Sequence, residues 1–205
     1  MSTKEGGNMR RSTRFWGLGA VVALAASLML LTTFASAASS GGAQHVRWDI
    51  ISTTGIPPAP LNPGGHASAM APDGDTITLL GSGHFVAPAS GGGNGAVDGG
   101  GTWSTSGGSG TYEVTALVSW ERANDQANVG FVDNIDEGTR TNGTAVLKIA
   151  FSDGSSGVLT VGCHGPGAPP GIFEGIATTK GYKTYYNVPA PAPGVDAGRT
   201  IFHVR

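Results

Sequence analysis

Between Thr111 and Glu121 the chain reads TYEVTALVSWE, with Tyr112, Val114, Ala116, Val118 and Trp120 on alternate positions and Thr111, Glu113, Thr115, Ser119 and Glu121 between them. Successive side chains of a pleated strand point to opposite faces, so this pattern predicts a half-buried strand whose polar face is broken only by Leu117. A helix would mix the two sets. Drawn straight, the run would extend roughly 37 Å, about twice an ordinary strand, so a bend, a strong twist or wrapping around a barrel is expected.

The rest of the chain offers partners of the same kind. His45 to Ile51 places Val46, Trp48 and Ile50 on one face, and Ala67 to Ala71 with Asp75 to Ala87 flank the turn Pro72-Asp73-Gly74. In the second arm Gly81 and Gly83 lie between Ile77, Leu79 and Phe85, which marks a bend or a close backbone approach. Trp103 sits in a short strand joined through Gly107 to Gly110 to the central run. Ala145 to Phe151 and Gly157 to Cys163 form the clearest hairpin, turned at Asp153-Gly154, with Asn142-Gly143 read as a further turn and as a sequon. Ile172 to Thr178, Tyr182 to Asn187 and Thr200 to Val204 complete the set. The expected fold is all-β: a single-domain antiparallel β-barrel of about 8–10 strands, with a two-sheet sandwich as the alternative.

Three stretches break the alternation. Ile56 to Gly65 carries four prolines that cannot donate to a sheet ladder, so it reads as an extended surface loop. Gly91 to Gly101 contains seven glycines and reads as a mobile loop; without a following Lys-Ser/Thr or a helical pattern it is no phosphate cradle. Arg122 to Asn142 has no sustained period and holds four carboxylates, so it is either functional or disordered. Asp133, Asp136 and Glu137 lack the alternate oxygens of a calcium loop, because Ile135 occupies one of the positions.

The amino terminus carries an export signal. Lys4, Arg10, Arg11 and Arg14 precede an uncharged apolar stretch from Phe15 to Phe34, and Ala35 and Ala37 supply the small residues of a cleavage site after Ala37. Residues 1–37 are therefore expected to be a cleaved, helical signal peptide of the general secretory type, with an uncleaved anchor or a twin-arginine signal as alternatives. Residues 38–205 then form the exported domain. Losing four basic and one acidic residue makes this body more acidic than the −2 of the whole chain, which argues against nucleic acid or an anionic membrane as partner. Cys163 is the single cysteine, so an intramolecular disulfide is excluded and stability must come from the core.

The candidate chemistry is sparse. His84, Cys163, His164 and Glu174 are the residue types that a thiol or acid–base site would use, but Cys163 and His164, being adjacent, point to opposite faces of a strand. Cys163 shares the parity of Leu159 and Val161 and is expected to pack as a small hydrophobe. No close pair of histidines and no methionine after Cys163 supports a metal site, and no cofactor is called for. Tyr182, Tyr185 and Tyr186 are the candidates for a ligand-binding surface. The glycine-rich strands GSGHF, GGGTW and GSGTYEVT resemble those of small calycin-like or allene oxide cyclase-like barrels; no family motif is matched, and no functional residue is carried over. The expected function is a secreted binding protein for a small apolar ligand or an extracellular partner of the cell envelope. The alternatives are a secreted enzyme using the His/Cys/Glu set in a barrel mouth, or a structural envelope protein.

Overall fold

The computed structural model describes residues 42–53, 58–87, 96–188 and 198–205. The expected signal segment, the start of the glycine run and most of the stretch from Pro189 to Gly198 lie outside them. The described residues form strands and no helix, in the order β1 (Gln44–Ser52), β2 (Pro60–Pro63), β3 (Ala67–Met70), β4 (Thr76–Ala87), β5 (Val97–Thr105), β6 (Gly108–Asp125), β7 (Val132–Asp133), β8 (Thr139–Phe151), β9 (Ser156–Cys163), β10 (Gly175–Lys180), β11 (Lys183–Asn187) and β12 (Arg199–Val204). They belong to one compact unit, Ser39–Arg205.

Alternation alone would give β6 one straight apolar face, but two extra residues reset it. Val114 pairs with Ile149 and Ala116 with Lys148, leaving Thr115 unpaired as a bulge; Leu117 pairs with Leu147 and Ser119 with Val146, leaving Val118 unpaired. Each bulge adds one residue to β6 without advancing β8, so the side chains beyond it change face. The first bulge turns Leu117 inward, and the second returns Trp120 to the parity of Val114. Leu117 is accordingly buried and Val118 is 41% exposed, the reverse of the simple alternating expectation. A third irregularity between Arg122 and Asn124 bends the end of the strand.

The sheet pairings run in circuits. The edge of β4 that does not face β5 is shared: Thr76 to Leu79 pair with β3, and Ser82 to Ala87 pair with β1. Similarly, β8 pairs with β6 on one edge, and on the other with β12 through Thr139 to Thr141 and with β9 through Gly143 to Ala150. One path therefore returns through β6, β5, β4, β1, β12 and β8, and a second through β6, β5, β4, β3, β11, β10, β9 and β8. All of these pairings are antiparallel.

Inside both circuits lies one apolar core. Trp48, Ile77, Leu79, Phe85, Leu117, Trp120, Leu147, Ile149, Leu159, Ile176 and Phe202 are all buried in it. Trp120 is its hub, with ring centroids 5.5 Å from Phe85 and 4.6 Å from Phe202. Glycine makes room for the aromatic rings. A Cβ on Gly81 would stand 2.1 Å from the Tyr112 hydroxyl, and one on Gly143 would stand 2.9 Å from the Trp120 ring. Gly143 is thus a mid-strand seat for Trp120 rather than the turn that Asn142-Gly143 predicts. Its neighbour Asn142 is fully buried, accepting a bond from the Gly165 amide at 2.7 Å, so the sequon is inaccessible in the fold.

Two other expectations change. The glycines 99–101 lie in β5, all three paired with β4 and Gly100 and Gly101 also with β6, and a Cβ on any of them would stand within 2.5 Å of the backbone of a neighbouring strand. The proline stretch contributes β2, a four-residue strand with a proline at each end. It pairs with the end of β1 on one side and, in parallel, with β7 on the other.

Candidate functional site

The long segment between β6 and β8 is an ordered strap across the outer face of β1 and β12. Phe131 and Ile135 pack on Ile51, Leu61 and Ile201, forming a second, smaller apolar cluster. β7 pairs with β2, and the Val132 and Asn134 amides donate to the carbonyls of Ala59 and Leu61, each at 3.1 Å. Carboxylates pin the far end. Asp133 Oδ2 lies 2.8 Å from Nε2 of the buried His203, and Glu137 meets Arg47, Arg205 and His84. Burial works against both charges, yet His203 and two backbone amides hold Asp133, and Arg47 foremost holds Glu137, below the usual carboxylate range. Asp133 is therefore engaged with His203, and Glu137 with Arg47 and Arg205.

A seam runs between the two sets of strands that share the β8 edge. Thr200 Oγ1 donates to the Gly162 carbonyl at 2.5 Å, joining the start of β12 to the end of β9. Glu174, just before β10, bridges the same gap: its two carboxylate oxygens accept the Thr200 amide at 2.8 Å and the His164 amide at 2.5 Å. Burial is the largest influence on this carboxyl and raises its pKa, while the two amide bonds oppose it. The residue replaces backbone bonds that neither strand can make to the other here.

Outside this seam lies a cleft of about 480 Å³. Ile51, Leu61, Phe131 and Ile201 form its apolar side, and Gln126, His164, Glu174 and Arg199 bring polar groups to it, with Pro166 and Ala168 at the rim. His164 Nδ1 lies 2.8 Å from the Ile172 carbonyl, which only accepts, so Nδ1 carries the proton in the neutral ring and Nε2 keeps its lone pair. The arrangement offers a donor, acceptors and a cation beside an apolar wall.

The four residues named as reactive candidates separate. His164 and Glu174 share the cleft, joined through a backbone amide. Cys163 faces the core, 1% exposed, accepting a bond from Gln126 Nε2 at 3.2 Å; burial, and then the Glu174 charge, push its thiol pKa up. His84 lies on another surface, 3.0 Å from Asp98 and 3.5 Å from Glu137. A thiol nucleophile with a histidine base is thus not assembled from these residues. No protein-family model, curated protein or solved structure matches the chain.

Of the three tyrosines, Tyr182 and Tyr186 are exposed, whereas Tyr185 belongs to the core and its hydroxyl donates to Asp75 at 3.0 Å. Parity on β11 turns Tyr185 inward and Tyr186 outward, while Tyr182 is exposed because it lies in the turn before the strand. The strap residues Gln126 and Phe131 and the rim cation Arg199 escaped notice in the sequence. Nothing in that stretch of sequence separates Phe131 and Ile135, which pack inward, from Val129 and Val132, which stay exposed.

Proposed function

We propose that the chain is an exported β-barrel protein that binds a small amphipathic molecule in the cleft beside the Glu174 seam. The two pairing circuits support a closed barrel, and the basic and apolar amino-terminal segment supports export. The observation that carries the binding reading is the cleft itself: apolar side chains line one side and a few polar groups converge on the other, the usual make-up of a small-molecule site. The barrel interior is a poorer choice, because Trp48, Phe85, Trp120 and Phe202 already occupy it.

The amphipathic probe anilinonaphthalenesulfonate tests this directly. The parent protein should enhance its fluorescence saturably while melting cooperatively. Ala168→Trp, which fills the rim without entering the core, should weaken binding about tenfold or more with the melt unchanged. Probe affinity equal in the two proteins would remove the cleft from consideration.

A further inference from the structure

The geometry points to a second binding site, for a neutral glycan chain, on the hairpin formed by β10 and β11. Tyr182 and Tyr186 are the largest aromatic side chains left in solvent among the described residues, Tyr182 wholly exposed and Tyr186 at 57%. Tyr186 stands on the solvent face of β11, opposite the buried Tyr185, and Tyr182 is the exposed residue of the turn that leads into that strand. A groove of about 510 Å³ joins these rings to Pro72, Asp73 and Lys183.

The platform is held in place before any ligand arrives. Gly181 and Tyr182 form a two-residue turn between Lys180 and Lys183, with Gly181 at φ 58°, a backbone region that suits glycine. On one side Lys180 pairs with Asp153 and lies 4.1 Å from the Trp103 ring centre. On the other, Lys183 Nζ reaches Asp73 at 2.9 Å and Asp75 at 3.0 Å. A pinned hairpin lowers the ordering cost of binding.

The chemistry of the groove selects the ligand class. A pyranose presents an apolar C–H face, which a tyrosine ring covers, and hydroxyls that need both donors and acceptors. Asp73 supplies an acceptor with spare lone pairs, Thr184 supplies a hydroxyl, and Lys183 retains one of its three N–H donors after serving Asp73 and Asp75. Because Lys183 is already matched by two carboxylates, the groove has no excess positive charge to attract an anionic polymer. Large aliphatic anchors, which a protein partner would use, are missing from its lining.

Native electrophoresis in gels containing hydroxyethyl cellulose, laminarin, dextran or galactomannan reads out this site separately from the cleft. At least one of these neutral polymers should retard the purified chain. The Tyr182→Ala/Tyr186→Ala double variant should migrate as it does without polymer, and Tyr182→Phe/Tyr186→Phe should stay retarded because the rings remain. Both variants should keep the parent's melting temperature, since neither residue is buried. Migration unaffected by all four polymers, or equal retardation of the parent and the alanine variant, would overturn the assignment.

Discussion

Leu117→Asp will abolish cooperative folding, whereas Val118→Asp, one position along, will fold with stability within about 0.5 kcal/mol of the parent. The contrast follows from the two bulges in β6. Leu117 pairs with Leu147 and faces the core at 3% exposure, so a carboxylate there would lose its hydration with no cation to meet it. That cost, above about 4 kcal/mol, is comparable to the whole stability of many domains of this size. Val118 is the unpaired residue of the second bulge and points to solvent. Uninterrupted alternation makes the opposite forecast for this pair, so urea denaturation of the two variants separates the readings cleanly. The flanking positions do not discriminate, because both readings bury Val114 and expose Thr115.

Trp120→Ala should cost about 3–5 kcal/mol, the largest loss expected from truncating any one core side chain here. The indole lies edge-on to Phe85 and Phe202, rests against Gly143 of β8 and donates through Nε1 to Gln44 Oε1 at 2.9 Å. It therefore touches β4, β8, β12 and the start of β1, of which β4 and β8 belong to both pairing circuits. Its removal leaves a cavity bounded by rings and backbone that cannot collapse to fill it. A midpoint shift in denaturant corresponding to less than about 1 kcal/mol would mean that the hub lies elsewhere.

Alternation in the sequence made most strands legible, since Trp48, Ile77, Leu79, Leu147, Ile149, Leu159 and Phe202 all occupy the parity that a half-buried strand dictates. The hairpin of β8 and β9 is set by Asp153-Gly154, where Gly154 adopts φ 87°. Bulges are invisible to such reasoning. Nothing in TYEVTALVSWE distinguishes a strand that spends Thr115 and Val118 on bending from one that does not, because the choice depends on where β8 can pair. The same holds for Gly143, whose role is defined by a ring more than twenty positions earlier in the chain.

The site was less legible than the fold. His164 and Glu174 stand out by residue type, but what brings them together is the gap between β9 and β12, a property of pairing rather than of local sequence. Asp49 and His203 are polar residues on faces that alternation assigns to solvent, and both are fully buried. The strap covers that face: its Asp133 meets His203, and its Glu137 meets Arg47, which holds Asp49 through two bonds of 2.8 and 2.9 Å. A second apolar layer outside a sheet cannot be inferred when its contribution is two hydrophobic residues in a loop.

The claim that the ligand site lies outside the sheet, beside the seam, is tested most directly by NMR titration of isotope-labelled protein with anilinonaphthalenesulfonate. The amides of Gly165, Gly167, Ala168 and Arg199 should shift saturably while the indole N–H signals of Trp48 and Trp120 stay in place. Movement of the two indoles with the cleft amides unchanged would contradict it, and would put the ligand in the apolar core.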